Sequence, residues 1–215
     1  MLIIGAKGFA KEVLEIAHQL NQLEDLVFYD DVNIDTPEKL FNQFPVLKSF
    51  GRAEIYFKNK DKKFSIGIGN PSLRKKVYDK FSSIGGVLTS TISPFASIGS
   101  YDVKIGAGCN ILANSVFSNS IKIGKGCIVY YNSIITHDCQ IGDFVEISPS
   151  VTLLGRSTIG EFSQIGSNAT VLPDIKVGKN VIIGAGSVVT KNIPDNSMVV
   201  GVPAKVIKEL KPLNF

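Results

Sequence analysis

The feature that most restricts this chain is a ladder with a period of six. Stepping by six from Ile105 gives Ile111, Phe117, Ile123, Val129, Ile135, Ile141, Ile147, Leu153, Ile159, Ile165, Val171, Val177, Ile183 and Val189, apolar at every step. With 44% of the chain hydrophobic, chance produces such a run on the order of 10⁻⁵ of the time or less, so the period is a statement about fold. Glycine returns every eighteen residues, at Gly106, Gly124, Gly142, Gly160 and Gly178. Three hexads therefore make one superhelical turn, and glycine's freedom in φ is expected to bend the chain at a repeated corner. Four residues beyond the ladder the chain is usually small: Cys109, Ser115, Cys127, Cys139, Ser157, Ser163 and Ser187. The two sets predict the lining of a parallel β-helix whose coils stack at roughly 4.8 Å. All three cysteines occupy the small slot, so they read as free, buried packing residues rather than as a disulfide or a nucleophile.

That register decides how the histidine of the coil is placed. His137 follows Ile135 by two, in the slot held elsewhere by Lys125, Tyr131, Asp143, Glu161, Lys179 and Lys191, and so points outward between Thr136 and Asp138. An imidazole near its usual pKa of ~6.5 can take a proton from an attacking nucleophile. A solvated surface histidine is the competing reading. The other histidine, His18, falls on a helix flank and reads as structural or solvated.

The first third of the chain has a different rhythm. MLIIG reads as a buried strand, GAKGF as a turn, and AKEVLEIAHQL as a helix with Val13, Leu14, Ala17 and Leu20 on one face. DLVFYDD is a second strand ending in Asp30 and Asp31. KFSIGIGN is a third, followed by a helix that starts after Asn70 and Pro71, with Ser72 as its cap or Pro71 in its first turn. Glycines at a strand-to-helix turn admit a ligand to the helix N-terminus, and a carboxylate ending the next strand can accept from hydroxyl or base N–H groups. A tight turn with no ligand explains the same glycines equally well.

Bulk properties narrow the function. The formal charge of +4 comes from Lys and Arg spread along the chain, which argues against nucleic acid while leaving an anionic small molecule open. No apolar run approaches the ~18 residues of a membrane span, and MLIIGAKGF lacks the parts of a signal peptide, so the cytoplasm is the expected compartment.

Taken together, the hexapeptide ladder, the THDC sequence, GVPAK at 201–205 and the short N-terminal α/β unit resemble the sugar acetyltransferases of the PglD and NeuD type over almost the whole chain. The resemblance implies a mixed fold: a small Rossmann-like α/β domain over 1–84 that binds a sugar nucleotide, then a left-handed parallel β-helix with a C-terminal tail over 85–215. The left hand departs from the usual crossover rule and comes from the resemblance alone. It also implies acetyl-CoA as co-substrate, no metal, and an acceptor that is a nucleotide-linked amino sugar of surface-polysaccharide synthesis.

By the same resemblance His137 is the general base and Asp138 its orienting partner, with Gly155 giving an oxyanion-binding N–H. Ser167 and Ala185 would touch the pantetheine, Pro203 and its GVPAK neighbours the nucleotide end of CoA, and Lys191, Lys205 and Lys208 its phosphates. Glu146 stands where the family often has a histidine near the acetyl group. Gly5, Lys7, Gly8, Phe9, Asp30, Asp31 and Asn70 would shape the sugar-nucleotide pocket, Phe9 standing where several members carry histidine. The expected assembly is a homotrimer, packed through a prism face that exposes Tyr130 and Tyr131, with His137 of one chain facing the CoA groove of the next. O-acetylation of a sugar such as sialic acid and a noncatalytic nucleotide-sugar module are the alternatives. A zinc-dependent coil of the carbonic-anhydrase kind is disfavoured, because it usually needs three histidines and this coil has one.

Overall fold

The computed structural model describes residues 1–215. Residues 1–88 form a sheet of six strands: β1 (Leu2–Ile4), β2 (Val27–Tyr29), β3 (Lys39–Leu40), β4 (Phe44–Leu47), β5 (Lys63–Ile66) and β6 (Val87–Leu88), in the order β3-β4-β2-β1-β5-β6. All pairings are parallel except the β3–β4 hairpin. A central parallel strand is covered on both faces and must be apolar throughout, which is why β1 reads LII and is fully buried. Ile3 packs with Val13 and Ala17 of α1 (Gly8–Gln19). On the opposite face Leu2 and Ile4 pack with Ala53 and Phe57 of α2 (Phe50–Asn59) and Phe81 of α3 (Pro71–Ser82). Pro71 takes the first turn of α3, but the cap is Asn70 rather than Ser72: its Oδ1 accepts from the Leu73 N–H at 3.1 Å and from the Ser72 hydroxyl at 2.7 Å. The sheet ends at Leu88 and the coil begins at Thr91, a few residues beyond the expected junction at 84/85.

Through the body of the coil each strand pairs in parallel with the one eighteen residues on, as Asn110 with Ile128, Val116 with Ile134 and Lys122 with Gln140, while at the ends the offset changes, to nineteen for Thr91 with Asn110 and sixteen for Ile182 with Met198. Three sheets thus form a prism. The ladder is its core, buried from Ile111 to Val189, and the small-slot residues Cys109, Cys127, Cys139, Ser157, Ser163 and Ser187 are 0% exposed. The cysteines are free; Cys109 and Cys127 donate to the carbonyls of Gly124 and Gly142, each at 3.1 Å.

The corner glycines serve a different purpose from the one expected. Gly106, Gly124, Gly142, Gly160 and Gly178 do not use positive φ. They are glycine because the next coil passes too close: a Cβ on Gly142 would lie 2.6 Å from Glu161 N, and one on Gly160 2.5 Å from Gly178 C. The left-handed conformation falls two residues later, at Gly108, Gly126, Phe144, Phe162 and Asn180. Phe144 and Phe162 stack there with centroids 5.6 Å apart, and C-terminal Phe215 adds to the stack at 4.8 Å from Phe162.

The α/β domain sits on the sheet that contains 110–111, 128–129 and 146–147. Asn110, though on the outward side, is buried: its Nδ2 donates to Ile66 O at 2.9 Å and its Oδ1 accepts from Ser65 Oγ at 2.8 Å. Arg74 of α3, 1% exposed, spans the junction. Its Nε donates to Gly126 O at 3.0 Å, Nη2 to Phe144 O at 2.6 Å and Nη1 to Gly69 O. Burial brings its pKa down to about 10, so it remains a cation at neutral pH. Tyr130 and Tyr131 are not on a free face. They are half-buried against α1, where Ile16 packs on Leu112 and Ile128 and the Phe9 ring lies 5.3 Å from that of Tyr130. The helix covers the surface that the hexad pattern leaves outward.

Candidate active site

His137 lies in the turn between Ile134–Ile135 and Gln140–Ile141. Asp138 adopts φ +61 there, a conformation Asp tolerates because its short polar side chain bonds locally. Both side chains reach solvent, at 54% and 52% exposure, and His137 Nδ1 is 2.7 Å from Asp138 Oδ2. An ionised carboxylate only accepts, so Nδ1 carries the hydrogen and Nε2 of the neutral ring keeps a lone pair. In the next coil Gly155 lies against this ring: a Cβ on it would be 2.6 Å from Cε1 and 2.7 Å from Nε2. The Gly155 carbonyl accepts from Asp174 N at 3.0 Å, while its own N–H has no partner within the chain. Arg156 and Asp174, absent from the expected site, close this corner with a two-point contact of 2.6 and 2.8 Å. The Arg156 hydrogen bond holds the Asp174 carboxyl below the usual range.

A second concavity of about 380 Å³ opens in the α/β domain at the ends of β1, β2 and β5. Gly5, Lys7, Phe9, Asp30 and Asp31 line it; Gly8, opening α1, and Asn70, capping α3, do not. Gly5 is needed at its floor, with φ +103 and a virtual Cβ 2.8 Å from Gly67 O, so that two strand-to-helix turns meet.

The paired aspartates do different things. Asp30, 5% exposed, accepts from the N–H groups of Val32 (3.2 Å) and Asn33 (2.9 Å), the Asn33 amide and the Thr36 hydroxyl. Burial pushes its pKa up, but these bonds outweigh burial and leave it lowered. It holds its own loop. Asp31 accepts from the Tyr29 hydroxyl at 2.5 Å and from Lys80 Nζ at 3.1 Å. Burial raises the Tyr29 pKa, and the Asp31 bond raises it further. Lys80, whose Nζ lies 4.7 Å from the Phe50 ring centroid, also lines the cavity. Sequence reasoning missed it, since in LRKKVYDK it looks like one more solvated lysine.

The residues expected at CoA are spread over the prism. Ser167 and Ala185 occupy successive coils of one corner, where Gly186 N donates to Ser167 O at 2.8 Å. That corner precedes the sheet containing 134–135 and 152–153, and the corner of His137 and Gly155 follows it. Within one chain the two groups therefore flank opposite edges of one face, whose outward Val116 and Ile134 are 41% and 42% exposed. Glu146 belongs to another sheet, between Ile128 and Gln164. It is 3.9 Å from Arg74, and burial raises its pKa while Arg74 opposes the rise. Lys205 pairs opposite Val200 and Lys208 opposite Met198 in the closing antiparallel hairpin; both are exposed, as are Lys191 and Pro203. No three His, Cys, Asp or Glu side chains converge to hold a metal ion, and no helix is long and apolar enough to cross a membrane.

An α/β domain bearing a cavity, fused to a hexapeptide prism with a His–Asp pair at one corner, defines the class of two-domain hexapeptide acyltransferases. Comparisons with known proteins narrow it. The PglD N-terminal domain family matches residues 1–81, the bacterial transferase hexapeptide family residues 156–191, and the hexapeptide repeat of succinyl-transferase residues 102–137. A comparison with curated proteins by sequence finds no match. Among solved structures, a variant of perosamine N-acetyltransferase from Caulobacter crescentus in complex with CoA and GDP-perosamine superposes with a TM-score of 0.89 at 27% identity, over 97% of this chain and 96% of that one. The acetyltransferase domain of PglB from Neisseria gonorrhoeae gives a TM-score of 0.85 at 31% identity, over 96% and 98%; it is also known in complex with acetyl coenzyme A. WeeI from Acinetobacter baumannii gives 0.74 at 29%, over 96% and 98%. The chain belongs to the PglD-type sugar acetyltransferases and is an acetyltransferase with the left-handed β-helix of that family.

Proposed function

We propose that this enzyme transfers the acetyl group of acetyl-CoA to the amine of a nucleotide-linked amino sugar. The observation that carries the reading is the His137–Asp138 contact of 2.7 Å beside Gly155. The carboxylate fixes the tautomer, so Nε2 is the basic atom. The sugar nitrogen attacks the thioester carbonyl and a C–N bond forms; Nε2 takes the N–H proton. The C–S bond then breaks, and the CoA sulfur leaves with that proton as a thiol. The unpartnered Gly155 N–H is the donor assigned to the developing oxyanion. No nucleophilic side chain is required. The complexes of the Caulobacter relative with CoA and GDP-perosamine favour an amine acceptor over a hydroxyl.

The cavity of the α/β domain would take the nucleotide, through Gly5, Lys7, Phe9, Asp31 and Lys80. A trimer is part of the proposal. Ser167 and Ala185 flank the face with Val116 and Ile134 on one side and His137 flanks it on the other, so packing copies through this face brings His137 of one chain to the CoA edge of its neighbour. Three free thiols fit a reducing cytoplasm.

The test is CoA release from acetyl-CoA with UDP-, GDP- and CMP-linked amino and hydroxy sugars, comparing wild type with His137→Ala. Turnover on an amino sugar that falls by about 10² or more in the variant is the expected result. Turnover indifferent to the substitution removes His137 from the chemistry, and a stable active monomer in sedimentation removes the shared site.

A further inference from the structure

Glu146 is a carboxylate whose surroundings do not explain it. Its side chain is 18% exposed, yet neither oxygen accepts a hydrogen bond from the chain; its one charged neighbour is Arg74, at 3.9 Å. Arg74 cannot turn to it, because Nε, Nη1 and Nη2 are each engaged by a backbone carbonyl, of Gly126, Gly69 and Phe144. Burial raises the Glu146 pKa and the guanidinium opposes that rise from 3.9 Å, without a hydrogen bond to either oxygen. Such a group wants a donor from outside the chain.

Its place in the fold says where that donor comes from. Along the sheet that carries the α/β domain, the outward residues Thr91, Asn110 and Ile128 are buried beneath the domain. Glu146 is next in register after Ile128, and the residue after it, Gln164, is partly exposed. Glu146 therefore marks the rim where the domain's cover ends. On the domain side its Oε2 lies 3.8 Å from the position of a Cβ on Gly69, a residue that lines the nucleotide cavity. On the coil side, two residues on, the same strand runs into the 148–150 corner, one coil before that of Ser167.

We infer that Glu146 selects the acceptor: its carboxylate receives the amino group of the sugar as an ammonium ion at the exit of the nucleotide cavity and so favours an amine over a hydroxyl. This rests on the reading of the cavity as a nucleotide-sugar site and reassigns Glu146 from the acetyl group to the acceptor. An ammonium offers charge and three N–H donors to the carboxylate, whereas a hydroxyl offers one neutral donor. Glu146 acts in binding: the bound ammonium first loses one proton to solvent to become the nucleophilic amine, and the N–H proton released on attack then goes to His137 and on to the CoA sulfur.

The experiment measures equilibrium binding, in the absence of acetyl-CoA, of matched pairs of UDP-, GDP-, CMP- and dTDP-linked sugars that differ only in carrying an amine or a hydroxyl. GDP-perosamine and its hydroxy counterpart form one such pair. Wild type is expected to bind the amino member of its best pair about tenfold more tightly, and Glu146→Gln, which keeps the shape and removes the charge, to bind both alike. Glu146→Asp is expected to retain part of the preference. A preference that survives in Glu146→Gln, or none in wild type, overturns the assignment while leaving acetyl transfer untouched. If no pair binds at all, the nucleotide-sugar reading falls first and this inference with it.

Discussion

Gly155 lies against the His137 imidazole so closely that the smallest side chain would displace it: a Cβ would stand 2.7 Å from Nε2, the atom assigned as base. Gly155 does not use positive φ, so alanine is tolerated by the backbone and acts only on the ring. The His137 side chain is half in solvent and can swing away at little cost to the fold. Gly155→Ala is therefore expected to lower kcat about 10²-fold through misplacement of the base, with a melting temperature within a few degrees of wild type. Steady-state kinetics and a thermal melt on one preparation decide it, and an unchanged kcat would mean that the ring works from another position.

Arg74 is the counterpart in stability. Its guanidinium reaches three carbonyls on three separate segments, and lysine, a single point charge, cannot span them. Arg74→Lys is expected to lose at least about 3 kcal/mol, since more than one buried acceptor is left without a donor. Urea unfolding followed separately by a probe in each domain should show the α/β domain released at lower urea than the coil.

Asp30 supplies a pH signature. Its folded pKa lies below the ordinary 3.8, because hydrogen bonds from Asn33, Val32 and Thr36 outweigh the upward push of burial. A carboxyl lowered on folding stabilises above its unfolded pKa and loses that contribution as pH falls through the folded value. Asp30→Asn should thus be less stable than wild type by about 1–3 kcal/mol at pH 7, with the gap closing below about pH 4. Denaturant midpoints of both proteins across pH 3–7 provide the check; a gap independent of pH would mean that the charge on Asp30 is not what holds the loop.

How far the sequence could be read follows from where the information sits. The ladder from Ile111 to Val189 was legible because each coil repeats one local environment, and β1, α1 and β5 were legible because their apolar patterns match a covered parallel sheet. The α2 helix and the β3–β4 hairpin gave no comparable period. Arg74 was hidden for a different reason: LRKKV looks like a solvated helical face, and only the docking of α3 on the coil buries one of its cations. Tyr130 and Tyr131 misled in the opposite direction, since the hexad register puts them outward and says nothing about the helix that covers them. In the site, His137 could be singled out by register and Asp138 by adjacency, whereas Lys80, Arg156 and Asp174 acquire meaning only through contacts made across the fold.

Lys80 lends itself to a test of the cavity itself. Its Nζ is 3.1 Å from Asp31 and stands over Phe50, so its charge offsets the one carboxylate of the pair that is not spent on its own loop. A nucleotide brings phosphates, and removing Lys80 both subtracts a cation and leaves Asp31 to repel them. Lys80→Met is expected to weaken nucleotide-sugar binding about tenfold, or ~1.4 kcal/mol. If repulsion by Asp31 is a large part of that loss, the double variant Lys80→Met with Asp31→Asn should recover affinity, a coupling that a double-mutant cycle measures directly. Equal losses with and without Asp31 would assign Lys80 to direct phosphate contact alone, and no loss in either background would move the nucleotide out of this cavity.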